Sequence, residues 1–140
     1  MSNPFTGGCA CGAVRYAIAG EPMAMNDCQC RTCQRLSGTG HGSYLTFKDA
    51  TVTLEGEARR WEATGDLGTV KAHAFCPTCG APVYLAFPGM PELFTVHAAS
   101  LDEPQRYVPA MTLFTAHGHD WIRWRRAGRP SSGCRRPTAA

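Results

Sequence analysis

The chain reads as an all-β protein. Stretches of β-branched and aromatic residues recur roughly every 10 residues, and helical periodicity is almost absent. Fifteen glycines and ten prolines break the chain into short segments. One domain is expected at 140 residues. A chain of this size buries about 70% of its unfolded surface, so a core can form without disulfide staples.

The elements follow in order. Residues 13–19 (AVRYAIA) alternate apolar and polar side chains after Gly12, the pattern of a half-buried strand. A short helical turn is expected over residues 31–36, beside the second cysteine cluster, stopped by Ser37-Gly38. Residues 42–47 (GSYLTF) and 51–54 are β-branched or aromatic and are bounded by Lys-Asp and Glu-Gly. Residues 70–75 and 82–87 alternate, residues 93–98 follow a Pro-Gly-Met-Pro turn, and residues 111–115 predict a last strand. The spacing suggests a sandwich or folded sheet. In residues 121–126, tryptophans alternate with arginines, and the expectation is rings packed on the sheet with arginines in solvent. Residues 127–140 (AGRPSSGCRRPTAA) have no apolar pattern, which predicts a domain over 1–126 and a disordered basic tail over 127–140.

Charge is divided along the chain. Residues up to Asp120 hold all 11 acidic side chains and eight basic ones, and six arginines follow. A basic tail on a mildly acidic body is weak evidence for nucleic acid, because no basic face runs through the fold. The first residues (MSNPFTGG) carry neither a basic nor an apolar stretch of the signal-peptide kind, and no apolar run approaches 18 residues. The expected compartment is therefore the reducing cytoplasm, with no membrane partner. Clustered cysteines there bind metal or do redox work more often than they form disulfides.

Seven of the eight cysteines form three clusters: Cys9 with Cys11; Cys28, Cys30 and Cys33; and Cys76 with Cys79. Each has the short spacing of a metal knuckle. The two pairs make one four-thiolate cage, which leaves a triplet with three ligands. A closed tetrahedron is structural, whereas three protein ligands and an open fourth position suit a metal that does chemistry. Three thiolates and Zn²⁺ sum to a charge of −1, too electron-rich to generate hydroxide readily but able to hold an incoming thiol as thiolate. Attack of that sulfur on a small aldehyde, or the reverse cleavage, is the natural reaction. Alternatives stay open: a disulfide network, a redox pair at Cys76 and Cys79 (no βαβ pattern surrounds it), or a second closed site completed by His41 or another histidine.

His41 lies in a Gly-rich turn eight residues after Cys33. It is a candidate fourth ligand, a general base for a thiol, or a plain turn residue. His73 precedes the Cys76 knuckle and could hydrogen-bond a ligated sulfur or simply pack in its strand. No role is assigned to His97, His117 or His119. Cys134, in the tail, is expected to be a free thiol.

The segments GGCACGAVRY (residues 7–16), CQCRTCQRLSG (28–38), FCPTCG (75–80) and SLDEP (100–104) occur in this order and cover most of the chain. Together they resemble the glutathione-dependent formaldehyde-activating enzyme family, which includes centromere-protein-V-like proteins. The resemblance implies folded antiparallel sheets of the β-tent type. It implies two zinc ions per chain, a structural one on Cys9, Cys11, Cys76 and Cys79 and a catalytic one on Cys28, Cys30 and Cys33. It also implies a carbon–sulfur lyase that joins a small thiol such as glutathione to formaldehyde or a similar aldehyde, giving S-hydroxymethylglutathione in the best-known case. The alternative is a non-enzymatic zinc-binding module for a protein or nucleic-acid partner.

Overall fold

The computed structural model describes residues 3–122. The expected tail, Cys134 and the arginines from Arg123 onward lie outside the described residues. Ten strands and one α-helix follow one another: β1 (Phe5–Gly8), β2 (Arg15–Ala19), β3 (Ala24–Cys28), α1 (Arg31–Ser37), β4 (Gly42–Lys48), β5 (Thr51–Glu55), β6 (Arg59–Thr64), β7 (Val70–Phe75), β8 (Pro82–Ala86), β9 (Leu93–His97) and β10 (Met111–Leu113). The all-β class and the short helix agree with the sequence reading. Gly38 closes α1 in the left-handed region (φ 73°), its N–H donating to the Gln34 carbonyl.

The strands form a three-stranded sheet, β1-β2-β5, and a seven-stranded sheet, β10-β3-β4-β9-β8-β7-β6. Every pairing is antiparallel except β10 on β3, so the large sheet is mixed. The three strands that no pattern announced each have a local reason. β1 ends in two glycines, β3 has Asn26 and Asp27 at its centre, and β6 (RRWEAT) is an outer strand of mostly exposed residues.

Burial alternates along β1 and β2, and this alternation builds the core. Phe5, Tyr16 and Ile18 of the small sheet pack with Leu45, Phe47, Tyr84 and Val96 of the large one. Phe5 and Phe47 meet edge to face across the gap, centroids 5.3 Å apart. Arg106 locks the first strand in place. Its guanidinium lies over the Phe5 ring, 3.5 Å from the centroid, and donates to the carbonyls of Asn3 and Pro4.

The opposite face of the large sheet has a different character. Register places Tyr44 beside His97, and runs a row through Thr46, Thr95, Leu85, His73 and Trp61. His73, His97 and Thr95 on this face are all buried. α1 lies on the side of β4, the strand that carries Tyr44.

Trp121 corrects one expectation. It is 68% exposed and stacks on His119 at 5.3 Å, so this ring does not pack onto the sheet. Trp124 lies outside the described residues.

Phe47 is fully buried where the two sheets meet. Phe47→Ala is expected to cost about 3–5 kcal/mol, whereas Leu67→Ser, at a fully solvated turn, changes stability by less than about 0.5 kcal/mol. Urea denaturation measures both.

Candidate metal centres

The first centre arises where two turns meet. Cys9 and Cys11 leave the end of β1, and Cys76 and Cys79 lie between β7 and β8. All four sulfurs lie within 4.8 Å of one another. The Sγ atoms of Cys9 and Cys11 are 3.6 Å apart, and those of Cys11 and Cys76 are 3.7 Å apart. Sulfurs bound at about 2.3 Å to one tetrahedral ion stand about 3.8 Å apart, so the donor set fits a zinc-sized cation. Backbone N–H groups already point at the sulfurs, Val14 to Cys9 at 3.3 Å and Thr78 to Cys76 at 3.4 Å. Such donors favour the thiolate form. Burial pushes the Cys9 thiol up, but the Val14 N–H and the Cys11 and Cys76 thiols outweigh it and hold it at about 6. Gly12 and Gly80, at φ 82° and 75°, take the left-handed turns that fold each pair back on itself.

The second centre lies on the outer face of the large sheet. Cys28 ends β3, Cys30 caps α1 and Cys33 sits in its first turn. Their sulfurs also lie within 4.8 Å of one another, and among the described residues no histidine nitrogen or carboxylate oxygen joins that group. The Cys33 N–H donates to the Cys30 sulfur at 3.3 Å, so the helix cap is itself one of the three thiols. Contact with the Cys33 thiol, aided by the Cys30 N–H, lowers Cys28 to about 5 despite its burial, while Cys33 is pushed up by Cys28 and by burial. Tyr44 and Leu85 form the floor under the three sulfurs.

A clasp from the C-terminal segment holds this loop. Gln29 N–H donates to the Leu113 carbonyl at 2.9 Å, continuing the β3–β10 pairing. The buried Gln34 amide donates to the carbonyls of Gln29 (2.8 Å) and His117 (3.0 Å), and its Oε1 lies 2.9 Å from His119 Nε2. His117 and His119, which have no role in the sequence reading, thus brace the helix that carries Cys33 and is capped by Cys30.

His41 stands apart from the three sulfurs and faces Asp27, Nε2 to Oδ1 3.9 Å. Asp27 also accepts from Ser43 Oγ at 2.6 Å and Tyr107 Oη at 2.7 Å. Among the described residues His73 makes no hydrogen bond through either ring nitrogen, and it stacks on Trp61 at 4.4 Å, which is strand packing rather than a bond to a sulfur. His97 touches the Tyr44 ring, 5.0 Å between centroids.

Two clefts meet over this face, sharing Leu36, Pro82 and His97. One, of about 390 Å³, is lined by Arg35, Trp61 and His73. The other, of about 650 Å³, runs past His41, Ser43 and Ser100 to the Arg15–Asp102 pair. Paired with Arg15, and accepting also from Thr6, Asp102 is held down at about 2. These sizes suit small-molecule ligands.

A family profile described as glutathione-dependent formaldehyde-activating enzyme matches residues 4–117. The chain belongs to this family. A relative from Halomonas elongata, provisionally named as a glutathione-dependent formaldehyde-activating enzyme, is 28% identical over 123 residues, covering 83% of this chain and 78% of its own. The crystal structure of a Rhodobacter sphaeroides protein shares the fold, with a TM-score of 0.54 at 24% identity, covering 76% of this chain and 98% of that one. In this family member, no helix among the described residues is long and apolar enough to cross a membrane.

Sequence reasoning passed over Tyr44 and His97 as site residues. Their common face follows from the β4–β9 register, Tyr44 opposite His97, which no spacing in one strand reveals. Burial holds His97 at about 4, below its usual 6.5, with His73 adding to the effect. The unfolded chain therefore takes up this proton first as pH falls. The stability of the wild-type protein relative to His97→Phe is expected to be highest above pH 6.5 and to decline from there to about pH 4. Urea midpoints of the two proteins across that range measure it, and parallel curves would contradict the assignment.

Proposed function

We propose that the protein is a zinc-dependent carbon–sulfur lyase-type enzyme that forms or cleaves the adduct of a small thiol, such as glutathione, with a small aldehyde, such as formaldehyde. The observation that carries this reading is the triplet. Cys28, Cys30 and Cys33 converge with no fourth protein ligand among the described residues, and Arg35 and Leu36 of the helix that carries Cys33 line clefts large enough for a peptide thiol. Family membership and the name of the Halomonas relative support the same substrates.

In this reading Cys9, Cys11, Cys76 and Cys79 hold a structural zinc, and Cys28, Cys30 and Cys33 hold the second. Zinc at the triplet supplies the positive charge that keeps an entering thiol ionised, and so nucleophilic, near neutral pH. The protein's own groups do the rest. Arg35, at the cleft beside Trp61, offers a cation to a carboxylate of the thiol substrate. Leu36 and Pro82 line both clefts and give a bound thiol an apolar wall. As the sulfur bonds to the carbonyl carbon, the carbonyl oxygen gains a proton, for which His41 beside Asp27 is the candidate donor. The reverse reaction returns that proton to His41 and releases thiol and aldehyde.

The two centres separate by mutation. Cys30→Ser is expected to remove one of two zincs and the thiol–aldehyde activity while leaving a folded protein. Cys76→Ser, at a fully buried sulfur, is expected to unfold it, since a structural zinc contributes on the order of 10 kcal/mol to folding. Metal content, circular dichroism and adduct formation from glutathione and formaldehyde read the outcome. Equal loss of folding in both variants would defeat the division of roles.

A further inference from the structure

Tyr44 is anomalous among the buried residues. Its side chain is only 6% exposed, and its hydroxyl has no hydrogen-bond partner among the described residues. A buried hydroxyl with no partner carries its full desolvation penalty, so such a group calls for an acceptor. What surrounds it is the triplet: Tyr44 and Cys28 are buried in one cluster against which Cys30 and Cys33 pack, the hydroxyl lies beside Gly42, the register partner of Cys28, and Cys33 is the thiol that acts on it most.

The fold makes room for this placement. A Cβ at position 42 would lie 2.3 Å from the Tyr44 oxygen and 2.6 Å from its ring, so Gly42 leaves open the space the phenol fills. His97 holds the ring from the neighbouring strand. The hydroxyl is thus aimed by the sheet rather than left to choose a rotamer. A thiol is a poor acceptor, whereas a thiolate is a good one, and the hydroxyl gains its partner when the sulfurs ionise to hold a cation.

We propose that Tyr44 is a positioning residue of the triplet, its O–H donating a hydrogen bond to the Cys33 thiolate and so fixing both the place of that sulfur and the charge it offers a metal. The inference rests on reading the triplet as a metal site. It adds a residue to which the ligand count gives no clue. Donors of this kind typically change metal affinity by about 10-fold or more when removed.

The test uses the full-length protein with zinc kept in the four-thiol cage and cobalt(II) exchanged into the triplet. Removing the donor in Tyr44→Phe is expected to move the sulfur-to-cobalt charge-transfer band to longer wavelength and to weaken cobalt and zinc binding at the triplet about 10-fold in chelator competition. 3-Fluorotyrosine at position 44, a stronger donor of nearly the same shape, is expected to move the band the opposite way. A role in packing alone would leave the fluorotyrosine band where it was, and that result overturns the proposal. If Tyr44→Phe does not fold, the fluorotyrosine protein decides alone. A wild-type chain that takes up a single metal ion overturns the metal reading and this inference together, whereas two ions with an unmoved band overturn this inference only.

Discussion

The architecture depends on the meeting of two turns through four sulfurs. Cys9 and Cys11 lie in the β1–β2 turn of the small sheet, Cys76 and Cys79 in the β7–β8 turn of the large one, and Cys11 faces the sulfur of Cys76, 65 positions further along the chain. The small sheet has three strands of four or five residues, too little to stand alone in water. Apolar contact through Phe5, Tyr16 and Ile18 brings it to the large sheet, but such contact is non-directional. The thiol cage adds direction: it fixes which end of the small sheet meets which turn of the large one. An ion in it would contribute free energy comparable with the whole stability of a small domain.

With that joint in place, the large sheet is free to use its two faces differently. The inner face is apolar and closed, with Leu45, Phe47 and Val96 fully buried. The outer face carries polar and reactive groups: a buried phenol, two buried histidines and three thiols, of which Cys28 is buried and Cys30 and Cys33 are half-buried. Period-two alternation explains the division without further devices. Leu45 and Tyr44 are neighbours in sequence, so one packs in the core and the other under the triplet. A one-residue slip of β4 would exchange the two sets, so the packing of Phe47 against Phe5 also fixes the register of the site.

Much of this was legible in the chain. Seven strands and the helix carried alternation, β-branched residues or Gly stops, and cysteine spacing located both sulfur clusters. What escaped was set by pairing rather than by local pattern. β1 forms because the small sheet and Arg106 accept it, although its own residues, FTGG, say little. β3 hides behind Asn26 and Asp27, with Asp27 satisfied by Ser43 and Tyr107. Tyr44 and His97 looked like ordinary strand residues, since only the β4–β9 register puts them together. The Gln34 clasp was equally hidden, because two of its partners, His117 and His119, lie more than 80 residues away.

The parallel strand β10 has a consequence for the order in which the molecule can be made. A chain emerging from the ribosome presents all four cage sulfurs once the turn after β7 is out, and the joint between the sheets can close once β8 and β9 have linked the β6–β7 hairpin to β4, before β10 is made. The triplet's three sulfurs are present far earlier, yet their loop waits for Leu113 and His117 to brace it. The scaffold can thus be bolted together while the reactive sulfurs are still loosely held. A newly made chain short of its last strand would be a folded body with an unfinished centre.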